Sequence, residues 1–209
     1  MRKSLLFVWA CMGLVCLMSA CKTSVKSKEW KLVWVEDFDQ KNSFDESVWT
    51  KIPRGTSDWN NYMSYYDSCY AMQDGNLILR GIANHTQKND TAPYLTGGVY
   101  TKGKKLFTGG RVEVCARLQA AKGAWPAIWM LPEKAEWPKG GEIDIMERLN
   151  HDHIAYQTTH SYYTHILGIK DNPPHGGINK INPEEYNIYS VDIYPDSLVF
   201  AVNHRHTYT

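Results

Sequence analysis

Gly109-Gly110-Arg111-Val112-Glu113-Val114-Cys115-Ala116-Arg117-Leu118 is the stretch on which the fold class turns. Two glycines open it, and Val112, Val114, Ala116 and Leu118 then alternate with polar or charged residues. A period of two belongs to a strand with one buried face, because successive side chains leave the pleat on opposite sides. Upstream, Lys31 to Val35 is a short apolar run, and Gly75-Asn76 closes a turn before the branched and apolar residues Leu77 to Ile82. Downstream, Asn187 to Tyr194 and Leu198 to Val202 flank Pro195-Asp196-Ser197. Asn203-His204 then fits a two-residue hairpin turn ahead of a further strand from Arg205 to Thr209. There is no internal repeat, no low-complexity tract and no apolar period of 3.6 over helical length. Short strands at this spacing predict an all-β antiparallel sandwich. The last hairpin has little sequence after it, so the chain reads as one truncated on its C-terminal side.

Residues 1–20 are set apart by their composition. Arg2 and Lys3 form a basic start, Ser4 to Met18 is almost wholly apolar, and the run closes on Leu17-Met18-Ser19-Ala20-Cys21. That is the layout of a secretory signal, too short for a favoured membrane span. Its end resembles a bacterial lipobox, which makes Cys21 the expected lipidation site and the protein an exported lipoprotein of the outer membrane, at the cell surface or on the periplasmic face. Loss of Arg2 and Lys3 takes the formal charge from +1 to −1, and nothing in this balance points to nucleic acid. Residues 21–29 are polar and without period, as a tether would be, and the folded domain is expected over 30–209. Once Cys11 and Cys16 leave with the signal, Cys69 and Cys115 remain beyond Cys21; they show no metal spacing, and their pairing is left open. Thirteen Tyr and eight Trp exceed what such a core needs, so exposed aromatic platforms are expected.

Chemistry concentrates in Gly140-Gly141-Glu142-Ile143-Asp144-Ile145-Met146-Glu147. In regular pleating Glu142 and Asp144 share a face, and Glu147, at an odd offset, points to the other. One bulged residue around Ile145-Met146 returns Glu147 to the face of Glu142. The two Glu Cα atoms then lie about 13 Å apart, a span that inward-leaning side chains can close to the ~5–5.5 Å typical of retaining glycosidases. Asp144 between them can orient one glutamate, and crowded like charges raise the pKa of at least one member. A solvated acidic strand or a calcium site would use the same residue types. The preceding Trp125-Pro126-Ala127-Ile128-Trp129-Met130 weighs toward catalysis on a sugar, since indole faces stack on sugar C–H faces; core packing is the other use of Trp125 and Trp129.

The motif Gly141 to Glu147, together with Trp125 to Pro132, Thr101-Lys102-Gly103, Gly110 to Glu113 and Trp34 to Phe38, resembles glycoside hydrolase family 16 in its laminarinase-like branch. The resemblance implies a concanavalin-like β-jelly roll with a concave substrate cleft, and a retaining mechanism. Glu142 would be the nucleophile, Glu147 the general acid/base and Asp144 its helper, an assignment that spacing alone does not make. It also implies that Thr158-Thr159-His160-Ser161 brings His160 toward the cleft, near the acid/base. Trp59-Asn60-Asn61-Tyr62-Met63-Ser64-Tyr65 resembles the family's Asn-Asn-Glu-x-Gln-Tyr segment, with Tyr62 in place of the glutamate and Ser64 in place of the glutamine. Trp59, Asn60 and Asn61 are therefore substrate-binding candidates along with Trp125, Trp129 and His160. His151 and His153 around Asp152 read as a loop turn.

The expected activity is endo-hydrolysis of β-1,3 or mixed β-1,3/1,4-glucan by a monomer that needs no cofactor or metal. A structural calcium ion could add to the fold, but its ligands are not legible in this chain. The alternatives are a glycan-binding sandwich without catalysis, a transglycosylase, or a hydrolase of another polysaccharide of the agarose or carrageenan class.

Overall fold

A computed structural model describes residues 30–40 and 42–209. The signal, Cys21 and the tether expected over 21–29 lie outside the described residues. One compact unit runs from Leu32 to Thr209. Its short early strands are β1 (Thr50–Lys51), β2 (Tyr70–Gln73), β3 (Asn76–Leu79), β4 (Gly81–Ala83), β5 (Tyr94–Thr96) and β6 (Val99–Tyr100). The later ones are β7 (Gly110–Ala116), β8 (Ala127–Met130), β9 (Glu142–Glu147), β10 (Ile154–His160), β11 (Gly176–Lys180), β12 (Asn187–Ile193), β13 (Leu198–Val202) and β14 (Arg205–Tyr208).

Two four-stranded antiparallel sheets dominate, ordered β11-β10-β9-β8 and β14-β13-β12-β7, beside the pairs β1-β6, β2-β3 and β4-β5. The protein is thus an all-β sandwich, as its alternating sequence requires. On β7, Val112, Val114 and Ala116 turn inward while Arg111, Glu113 and Cys115 are exposed. Arg111 meets its register partner Asp192 through Nε–Oδ1 at 2.6 Å and Nη2–Oδ2 at 2.8 Å, a forked pair on the outer face. Between the sheets, Ile145, Met146 and Ala155 of one pack with Tyr189, Val191, Phe200, Val202 and Tyr208 of the other. Phe200 and Tyr208 stack with ring planes 5° apart at 4.6 Å. Each such apolar side chain stabilises the sandwich by roughly 1.5–3 kcal/mol relative to exposure.

Turn chemistry accounts for the hairpins. Asn203 and His204 both take positive φ, 50° and 61°, and join β13 to β14 as a two-residue turn whose twist matches that of the strands. The turn upstream is one residue earlier than Gly75-Asn76: Asp74 and Gly75 have φ of 52° and 69°, and Asn76 already pairs with Gln73. The run Leu77 to Ile82 is not one strand either. β3 pairs with β2 and β4 with β5, and at the changeover the Arg80 N–H donates to the Cys69 carbonyl. Lys31 to Val35 forms no strand, and Leu32, Val33 and Val35 are 75%, 90% and 63% exposed. An apolar run without alternation carries no face to bury, and here tertiary packing did not supply one. Among the described residues no helix is long and apolar enough to cross a membrane.

Candidate active site

β9 carries the acids, and two glycines shape its entry. Gly141 has φ of +82°, a conformation L side chains rarely adopt, and a Cβ at Gly140 would lie 2.5 Å from Pro132 and 2.6 Å from Ala135. The expected bulge is present. Against β8, Asp144 faces Trp129 and Met146 faces Ile128, which leaves Ile145 without a partner. Against β10, Asp144 faces Thr158 and Glu147 faces Tyr156, so both Ile145 and Met146 lie opposite the single residue Gln157. The extra residue is absorbed on the core side, where Ile145 and Met146 are 1% and 0% exposed. Glu142, Asp144 and Glu147 consequently stand on one face of the sheet.

Each glutamate accepts from a tryptophan. Trp137 Nε1 donates to Glu142 Oε2 at 2.5 Å, and Trp125 Nε1 donates to Glu147 Oε1 at 2.8 Å. Asp144 is buried, with its Oδ2 3.3 Å from His160 Nε2. That distance suits an ion pair, but Oδ2 has no aligned hydrogen-bond donor. Burial pushes all three carboxyls above their ordinary range. The Asp144 charge raises Glu142 further, while the two indole N–H groups pull the glutamates back down. His160 is raised chiefly by the Asp144 carboxylate, against the effect of its own burial. Buried and half-buried carboxyls crowded on one face, each raised by desolvation, are the setting in which acid-base chemistry at a glycosidic bond is done.

His160 pairs with Glu142 in register and reaches Asp144, and its charge also acts on Glu147, so it faces the whole acidic row. Trp129 is half-buried and takes the edge of Trp59 at 5.0 Å and 77°, while Trp59 and Trp125 stay 40% and 49% exposed. Asn61 is half-buried, with its Oδ1 unpartnered. Asn60 is engaged with its own loop: its Oδ1 accepts from Ser57 N–H at 3.0 Å and its carbonyl from Gly55 N–H at 3.1 Å. Tyr62 is exposed and meets Tyr94 edge-on at 6.1 Å, one of the aromatic platforms the composition called for.

Sequence reasoning passed over Trp137 and His165. Trp137 stands in a Trp-Pro pair just ahead of the glycines, a signal available from the sequence. His165 was not legible. It rides on the turn Tyr162–Ile166, capped reciprocally by Ser161 and Thr164, and its ring lies 4.4 Å from that of Trp137. His151 and His153 are exposed in the loop between β9 and β10. Among the described residues, the group whose potential metal-ligand atoms gather within 4.8 Å is Glu142, Asp144 and His160, part of the acidic row itself. Cys69 is buried and Cys115 exposed, and both are free thiols.

A family model described as "XgeA-like, catalytic GH16 domain" matches residues 67–180. The chain is 37% identical over 192 residues to a keratan-sulfate endo-1,4-beta-galactosidase of Sphingobacterium multivorum, covering 90% of this chain and 44% of that protein. It is 30% identical over 200 residues to a beta-glucanase of Rhodothermus marinus, covering 90% of this chain and 68% of that one. The X-ray structure of the laminarinase from Rhodothermus marinus superposes with a TM-score of 0.75 at 29% identity, over 86% of this chain and 74% of that one. The chain thus spans less than half the length of the galactosidase and about two thirds of the glucanase.

Proposed function

The chain belongs to glycoside hydrolase family 16, and on that footing we propose that it cuts internal bonds of β-1,3 or mixed β-1,3/1,4-glucan by double displacement. The observation that carries this reading is the bulge at Ile145-Met146, which sets Glu147 on the face of Glu142. Glu142 attacks the anomeric carbon while Glu147 gives its proton to the leaving oxygen. Glu147 then takes a proton from the water that releases the glycosyl-enzyme. These roles follow the family pattern. Asp144, held by His160, orients the row. Trp59, Trp125 and Trp129 offer stacking surface, and Asn60 shapes the loop that carries Trp59.

Two observations favour a galactan as a second reading: Tyr62 and Ser64 stand where the family segment carries glutamate and glutamine, and the Sphingobacterium relative is named for a β-galactosidic bond. The test is product sizing after incubation with laminarin, mixed-linkage β-glucan, keratan sulfate, agarose and carrageenan. Short oligosaccharides from a β-glucan are expected, with Glu147→Gln lowering kcat by about 10²–10⁴-fold and Glu142→Gln more severely. Cleavage of keratan sulfate alone would move the substrate to the second reading, and binding without cleavage would make the protein a lectin. We also propose export as an outer-membrane lipoprotein anchored through Cys21, a reading that rests on the pattern of residues 1–21.

A further inference from the structure

A polar side chain sits in the middle of the sandwich. Gln157 is 0% exposed, on the core side of β10 directly opposite the bulge. Its Nε2 donates to the Ile145 carbonyl at 2.8 Å and to the Ala201 carbonyl of the other sheet at 3.2 Å. Its Oε1 accepts from Thr207 Oγ1 at 2.5 Å, and that oxygen accepts from Asn179 Nδ2 at 2.5 Å. A buried amide is costly unless its donors and acceptor are matched, and this one is matched by atoms of β9, β13 and β14. Neither neighbouring strand offers Ile145 a register partner. An amide at position 157 supplies a donor to the carbonyl of that unpaired residue.

We infer that Gln157 is a positioning residue for Glu147: by tying the Ile145 carbonyl to the opposite sheet it holds the bulge whose geometry places the acid/base carboxyl beside Glu142. This rests on the role of Glu147 proposed above. An apolar residue at 157 would fill the volume and take from the buried Ile145 carbonyl its side-chain donor. The bulge would then shift to find one, and a carboxyl displaced by about 1 Å loses on the order of 10²-fold in rate. Substrate contacts do not involve Gln157, so ground-state binding is spared.

The variants to compare are Gln157→Leu, Gln157→Glu, Thr207→Val and, as a control for destabilisation alone, Val202→Ala, all assayed well below their melting temperatures. Gln157→Leu is expected to lower kcat by about 10²-fold with KM nearly unchanged. Gln157→Glu, kept neutral by burial, still has one O–H for Ile145 and one oxygen for Thr207, and restores most of the rate. Thr207→Val gives a smaller loss in the same direction should Gln157→Leu fail to fold, and Val202→Ala leaves kcat alone. A second readout needs no turnover: titration of the Glu147 carboxyl by carbon-13 NMR. This group faces Glu142 and Asp144 on its own strand, His160 and Tyr156 on β10, and the Trp125 indole. Once it leaves its desolvated position its pKa falls toward the ordinary glutamate value in Gln157→Leu. Wild-type kcat and an unmoved Glu147 titration in Gln157→Leu would overturn the inference, as would an equal rate loss in Val202→Ala. A wild-type protein inert toward every glycan refutes the proposed function instead, and the NMR titration still decides the positioning of Glu147.

Discussion

Two indole N–H groups set the balance of the two glutamates. In its proposed role Glu147 must carry its proton to act as an acid, so activity is expected to fall as pH rises through its pKa. Burial raises that pKa, and the Trp125 donor at 2.8 Å opposes the rise by favouring the ionised form. Trp125→Phe therefore lifts the pKa further, and the basic limb of the kcat/KM profile moves to higher pH. Glu142, as the proposed nucleophile, must be ionised to attack, and Trp137 opposes its upward shift in the same way. Trp137→Phe consequently moves the acidic limb to higher pH. A pH profile of each variant checks both directions, and a limb that moves down in either would show that the indole does not act through its donor. That the three acids share one strand was legible because they follow a glycine pair within six residues. Their indole donors were not, because a hydrogen bond from position 137 to position 142 depends on how the intervening loop closes.

At the scale of the strand, the bulge makes five residues count as four steps. It follows that deleting Ile145 leaves Glu147 an even number of steps from Glu142, now in regular pleating, with Ile143 and Met146 still toward the core. That deletion is expected to retain hydrolysis within about 10²-fold of wild type. Deleting Ile145 and Met146 together instead leaves Glu147 three steps from Glu142, an odd offset that turns it to the core face, and brings activity to background. Product assays on the two variants decide it, since equal losses would mean that the bulge is not what sets the face. The bulge could be anticipated from parity alone: without it Glu147 would be a charge facing the apolar side of the sheet. What parity could not reveal is its support, the amide of Gln157 reaching across to β13 and β14.

For the whole molecule, the N-terminal anchor and the sandwich are separate questions. If Cys21 carries lipid, Cys21→Ser moves the protein from the membrane fraction to the soluble one while cleavage of the glycan is unchanged; retention in the membrane fraction would refute the anchor. The sandwich itself was readable wherever alternation or turn chemistry acted locally. The inward set Val112, Val114 and Ala116 and the Asn203-His204 turn needed only the pleat and positive φ to be placed. Leu77 to Ile82 misled because a strand that changes partners at Arg80 looks continuous until its neighbours are known. Lys31 to Val35 misled because hydrophobicity without a period does not say whether a partner surface exists. By itself, then, the sequence determined an all-β chain with three acids on one strand and the need for a bulge, since side-chain parity and turn preference are local properties of the backbone. Only the tertiary structure decided that Trp137 and Trp125 hold the two glutamates, that His160 serves Asp144, and that Gln157 anchors the bulge. Those contacts join residues from different strands and loops, and such distances are set by how the two sheets pack and not by any period along the chain.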